Sequence, residues 1–241
     1  MTATLPRLRL NFWMTVCMVP ALALLVGLGV WQLHRLQWKE ALIADRAARL
    51  AKPPVALSAV PATGWRAYEL RRVVARGRFL YDKTMEIVSQ SYRDQTGVHV
   101  ITPLLLADGS GTLLVNRGWA PRDKERRPGE FRRPDGIVEI TGVLRAAGRT
   151  NPWAPDNEPA KGVWFFPDPP AMAKVAGLAN ARPFLIEAVR RAGDDSYPVG
   201  GQTVTKIRNQ HLQYAITWFS LAIALVVIYV LYHVKRYRPT A

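Results

Sequence analysis

Two stretches of this chain carry no full charge and are long enough to cross a bilayer, so the rest must fit around them. The first runs from Asn11 to Leu33, behind Arg7 and Arg9; the second lies between Arg208 and Lys235. About 20 apolar residues span a hydrocarbon core as a helix. Trp13 and Trp31 bracket the first run as interfacial anchors do, and Pro20 inside it can kink it. The second run starts polar at Asn209-Gln210-His211, is apolar from Ser220 to Tyr232, and closes on Lys235, Arg236 and Arg238. A secretory signal has a shorter apolar region followed by a small-residue cleavage site. Gly29-Val30-Trp31-Gln32-Leu33-His34 is a poor site of that kind, so the first run reads as a retained membrane helix.

Two spans put both tails on one side. The predicted division is a cytoplasmic tail (1–10), a transmembrane helix (11–33), a periplasmic domain (34–208), a second transmembrane helix (209–233) and a second cytoplasmic tail (234–241). The Lys and Arg bias behind this orientation is weak, because Arg35, Lys39, Lys206 and Arg208 flank the opposite ends. A mitochondrial presequence would be longer and richer in Arg and Ser, which favours a bacterial inner (plasma) membrane.

The formal net charge is +15, and every acidic residue lies in the middle section. The arginines are scattered there, which suits a solvated surface near anionic lipid better than nucleic acid. Cys17 is the single cysteine and sits in the first apolar run, so no intramolecular disulfide and no Cys-based zinc site can form.

The middle section begins with a helix from Arg35 to Leu50, stopped by Lys52-Pro53-Pro54. Short strands follow: Tyr68 to Phe79, Lys83 to Gln90, and Val98 to Leu106 with Pro103 inside it. Asp108-Gly109-Ser110-Gly111 turns into a strand from Thr112 to Asn116. Asp123 to Pro134 reads as an exposed loop, and Ile137 to Arg145 as a strand. Further strands are expected at Trp164 to Phe166, Phe184 to Val189 and Thr203 to Ile207, with a helix capped at Asp168 over Ala171 to Ala176. The fold class is therefore an α+β membrane protein: a two-helix transmembrane hairpin with an antiparallel, β-rich, partly barrel-like extracytoplasmic domain and one or two short helices.

No HExxH, CxxC, GxSxG or P-loop pattern occurs, and no Ser–His spacing suggests a nucleophile with its base, so the chain does not read as an enzyme. Helical spacing puts His211, Tyr214, Ala215 and Trp218 on one face of the second span. It puts Trp31, His34, Arg35 and Trp38 on one face of the first. Two readings stay open on geometry. One is an interfacial belt of aromatics. The other is a pair of imidazoles clasping a haem, with Arg35 for its propionates. His99, in an apolar strand, reads as structural, and His233, beside Lys235, as a surface residue.

Three segments then carry a resemblance: Gly29-Val30-Trp31-Gln32-Leu33-His34-Arg35-Leu36-Gln37-Trp38-Lys39, Val115-Asn116-Arg117-Gly118-Trp119-Ala120-Pro121 and His211-Leu212-Gln213-Tyr214-Ala215-Ile216-Thr217-Trp218-Phe219. In order and content they resemble the Surfeit-locus cytochrome c oxidase assembly protein family, with Ala120 where Val is more usual. The resemblance implies a role in maturing the haem–copper oxidase, with haem a delivered to or retained in the catalytic subunit. It implies His211 as the iron's axial ligand, with Trp218 on the same face; Tyr214, His34 and Arg35 complete the candidate haem site by geometry. The implied partners are the oxidase catalytic subunit, haem a synthase and other assembly factors, with membrane lipid around the spans. The alternative is a membrane-anchored protein-binding scaffold for oxidase biogenesis or the cell envelope that carries no haem. In the middle motif, Gly118 can take a positive φ, Trp119 is placed to pack under the sheet, and Arg117 is either structural or a partner contact.

Overall fold

The structure is a computed structural model. It describes residues 11–122, 131–146, 148, 153–190, 193, 196–203 and 208–235. These divide into two units, one within Met1–Asp45 and Lys206–Ala241, the other within Arg46–Thr205. Helix α1 (Phe12–Ala51) is continuous for 40 residues through Pro20. Proline is tolerated there because neighbouring groups in a membrane helix can resatisfy the freed carbonyl. Among the described residues seven strands follow: β1 (Val55–Ala56), β2 (Arg72–Phe79), β3 (Met85–Tyr92), β4 (Gln95–Leu106), β5 (Thr112–Pro121), β6 (Val138–Arg145) and β7 (Ala181–Ala188). Helix α2 (Pro169–Val175) precedes β7, and α3 (His211–Lys235) ends the described chain.

The sheet order is β1-β2-β6-β7-β5-β4-β3, and β2 also pairs with β4. That extra pairing closes β2, β6, β7, β5 and β4 into a five-stranded barrel, with β1 and β3 outside the ring. Closure turns on Gly77, which is paired with Val138 of β6 and with Leu106 of β4. A Cβ there would stand 2.2 Å from the Leu105 carbonyl oxygen, so only glycine lets β2 serve both neighbours. The barrel is mixed rather than all antiparallel. β5 and β7 run parallel, because β6 and α2 intervene between them and return the chain to the same end.

The barrel interior gathers Val73, Phe79, Leu104, Leu113, Leu144, Phe184 and Ile186, with the Trp65 ring tilted against Phe184, centroids 5.1 Å apart. On the other face Ile101, Leu114 and Leu185 pack under Met172 of α2 and Trp164. Every residue of β5 is buried, since this strand lies between two cores. The Asp108 carboxylate accepts the Ser110 N–H at 3.0 Å, setting the β4–β5 turn. Asp168 caps α2 by accepting from the Ala171 N–H at 3.1 Å.

Some elements differ from expectation. Trp65–Tyr68 is a 3-10 turn, so β2 starts only at Arg72. Trp164 forms a single bridge to Ile87 instead of a strand, and its ring is fully buried. Residues 204–207, most of the expected last strand, and 123–130, most of the expected charged loop, lie outside the described residues.

Candidate functional site

The two apolar helices meet along a seam with coiled-coil spacing. On α1 the less exposed positions include Asn11, Thr15, Met18, Leu22, Leu25, Gly29 and Gln32, alternating steps of four and three, with Met14, Ala21 and Leu28 beside them. On α3 they include His211, Ala215, Trp218, Ala222, Leu225 and Tyr229, with the same alternation, and Phe219 and His233 beside them. An apolar repeat averaging 3.5 residues keeps one helix facing another. The contacts make the pair antiparallel: Gln32 meets His211, Gly29 meets Phe219, Thr15 meets Tyr229, and Asn11 meets His233. A Cβ at Gly29 would lie 2.7 Å from the Phe219 ring, so the absence of a side chain lets that ring reach the α1 backbone.

His211 opens α3, and its Nδ1 lies 2.7 Å from Gln32 Oε1. Nδ1 therefore donates to the amide oxygen, and the lone pair of the neutral ring is on Nε2, the nitrogen that can ligate a metal. Gln32 is only 9% exposed. A polar side chain that deep in an apolar seam needs a partner, and the imidazole is that partner. On the same helix Ala215 is buried and Trp218 half-buried, while Tyr214 is 53% exposed.

The seam brings Gln32, not His34, to His211. Two residues along a helix turn the side chain by about 200°, so His34 points outward and is exposed. Arg35, also exposed, lays its guanidinium over Trp38, 3.9 Å from the ring centroid. Two imidazoles facing one another across the helices are thus not what these contacts build. Gln32 is not a metal-ligating residue type, so residue chemistry alone does not single it out. The available signal was a lone amide at the end of an apolar run, in step with Asn11, Thr15, Met18, Leu22, Leu25 and Gly29.

The opposite end of the pair overturns the reading of His233 as a surface residue: it is 1% exposed. Its Nδ1 donates to the Tyr229 carbonyl at 2.8 Å, and its Nε2 accepts the Asn11 N–H at 3.1 Å. Lys235, two residues on, was a poor guide to which face His233 occupies. The Thr15 and Tyr229 hydroxyls are 2.6 Å apart beside it. From Asn11 to Gln32, the two polar clasps stand about 32 Å apart along the helix, close to the thickness of a hydrocarbon core.

The middle motif forms a β-bulge. Val100 pairs with Gly118 and Ile101 with Asn116, leaving Arg117 as the extra residue. Gly118 has φ +121°, and a Cβ there would meet the Val199 carbonyl oxygen at 2.0 Å. Asn116 locks the bulge: its Oδ1 accepts the Gly118 N–H at 3.0 Å, and its Nδ2 lies 3.3 Å from His99 Nδ1. His99 is held neutral by burial, with its pKa lowered to about 4. Trp119 packs beneath the sheet between Tyr92 and Tyr197.

Among the described residues no three His, Cys, Asp or Glu side chains converge. Bilayer-length helices clasped at both ends, with a closed mixed β-barrel between them in sequence, define a membrane-anchored α+β protein. The model of the SURF1 family matches residues 19–223. Surfeit locus protein 1 of Mus musculus is 34% identical over 91% of this chain and 74% of its own length. The Homo sapiens protein is 35% identical over 82% and 70%, and a SURF1-like protein of Monosiga brevicollis is 36% identical over 85% and 81%. The chain belongs to the SURF1 family.

Proposed function

We propose that this protein is a non-enzymatic assembly factor for haem–copper cytochrome c oxidase, holding haem a as cargo at His211 and assisting its insertion or retention in the catalytic subunit. Family membership and the three quoted motifs support the assembly role. The observation that carries the haem part is the 2.7 Å contact from His211 Nδ1 to Gln32, which sets the tautomer whose Nε2 can ligate iron. Trp218 and Tyr214, on the same helix face, would flank the macrocycle. His34 and Arg35 point away from the seam, and enter the proposal only as contacts to a ligand that reaches round α1, with Arg35 for a propionate. In this reading the barrel unit is periplasmic, both chain ends are cytoplasmic, and the membrane is the bacterial inner membrane. The oxidase catalytic subunit is the principal partner; haem a synthase and other assembly factors are further partners.

The test is the absorption spectrum of the detergent-purified protein made in cells with and without haem a synthesis. A low-spin haem a spectrum is expected only in the first, and His211→Ala should abolish it. If His211→Ala carries as much haem as the parent, the site is wrong. If the parent carries none, and its loss lowers the amount of oxidase without lowering haem a per oxidase, the protein is a scaffold instead.

A further inference from the structure

The polar clasp at the His233 end of the helix pair fixes the protonation state of its histidine. Asn11 stands just before the first turn of α1, where backbone N–H groups lack partners within the helix. His233 Nε2 accepts the Asn11 N–H at 3.1 Å. A backbone N–H can only donate, so Nε2 must keep its lone pair. His233 Nδ1 faces the Tyr229 carbonyl at 2.8 Å, and a carbonyl can only accept, so Nδ1 carries the proton. Both contacts hold only in the neutral ring. The hydroxyls beside it are directed too: Thr15 donates to the Asn11 carbonyl at 2.9 Å, so the Tyr229 hydroxyl donates to Thr15. An imidazolium would find no counter-charge here. The Tyr229 and Tyr232 rings lie 4.3 and 5.3 Å from the His233 ring, and α1 brings Asn11, with Thr15 one turn on. Tyrosines are neutral at ordinary pH. The charged residues next in sequence are Arg7, Arg9 and Lys235, all basic, and no Asp or Glu occurs before Glu40 or after Arg208.

We propose that this clasp is an acid-sensitive latch: protonation of His233 at Nε2 frees the start of α1 from the end of α3, while the His211 end stays paired. The added hydrogen turns Nε2 from an acceptor into a donor aimed at another donor. It also puts a cation at the N-terminal end of α1, which the helix dipole disfavours, whereas the C-terminal end of α3 attracts it. The charged ring therefore stays with α3, and α1 leaves. His233 is 1% exposed, so proton uptake and release of the helix end occur together. At the other end the chemistry is reversed. His211 Nδ1 donates to Gln32 Oε1, and protonation at Nε2 leaves that bond in place and makes it charge-assisted. Acid thus loosens one end of the seam and tightens the other. The latch involves no ligand at His211, so it stands or falls independently of haem binding.

Spin labels on the full chain in neutral detergent read the two ends separately. With Cys17→Ser removing the native thiol, Phe12→Cys/Leu231→Cys reports the latch end and Leu33→Cys/Leu212→Cys the His211 end; all four positions are exposed. Distances are measured by pulsed EPR at about pH 8 and about pH 5, which bracket the charge change of an ordinary histidine. The latch pair should show one short population at the higher pH and a second, longer one at the lower, reversibly. The His211 pair should stay unchanged. His233→Gln, whose amide oxygen can accept and does not titrate, should abolish the shift whichever distance it adopts. Asn11→Pro removes the donor at a helix start, where proline is tolerated, and should abolish it too. A latch pair that does not lengthen in acid, lengthening at the His211 end as well, or an acid response kept in either variant would each overturn the proposal.

Discussion

Replacing Gln32 by leucine tests the central contact of the helix pair. The side chain volume is nearly kept, but the acceptor 2.7 Å from His211 Nδ1 is lost. Interhelical hydrogen bonds in membranes average about 0.6 kcal/mol and reach about 1.7, so the pair should stay folded. The larger effect is on the imidazole. Without its partner, Nδ1–H is left unsatisfied, the ring is free to rotate, and Nε2 becomes less basic. Loss of an outer partner of a metal-bound histidine typically costs about 10–100-fold in affinity, or roughly 1.4–2.7 kcal/mol. Gln32→Leu should therefore weaken haem a binding by that factor in a spectrophotometric titration. Gln32→Glu, which keeps an acceptor and strengthens it, should retain binding and move the haem midpoint potential to more negative values. If Gln32→Leu binds haem with the parent's affinity and potential while His211→Ala does not bind, the seam contact has no part in holding the ligand. If neither substitution matters, the haem site lies elsewhere.

Two further outcomes follow from particular contacts. Gly29→Leu drives a side chain into the Phe219 ring and should lower the thermal midpoint in detergent, an overpacking cost of about 1–3 kcal/mol. Adding Phe219→Ala should recover much of it, and a purely additive double variant would refute the contact. His99, kept neutral in the folded barrel by burial with a pKa lowered to about 4, titrates near the ordinary histidine value of 6.5 once unfolded. Its contribution is complete above about pH 6.5 and is lost as pH falls toward 4, up to about 3 kcal/mol in all. Denaturant unfolding of His99→Gln across this window should show a correspondingly flatter pH slope.

How much of this was legible in the residues varies by element. The apolar runs, the Asp108–Gly111 turn and the cap at Asp168 are written in local chemistry, and helices and turns form where local chemistry asks for them. The strands beginning near Tyr68 and at Trp164 were misplaced, because aromatic residues favour strands and buried loop corners alike. β5 showed no alternation because both its faces are covered, and the parallel β5–β7 pairing depends on a crossover that no local pattern announces. His211 was legible as a candidate by residue type and position. Its partner Gln32 was not, and His34 shares the ligand residue type although helical geometry turns it away.

The two bilayer-length helices, the β-rich unit between them, the freedom of Gly118 to take a positive φ and the family are all readable along the chain. Each follows from composition, turn chemistry or a run of matched residues, all properties of neighbours along the chain. The closure of β2 on β4, the bulge at Arg117, the burial of His233 and the pairing of His211 with Gln32 emerge only in the folded molecule. Those facts belong to pairs distant in sequence, and their register is set by side-chain volumes and hydrogen bonds that meet only after the chain has folded.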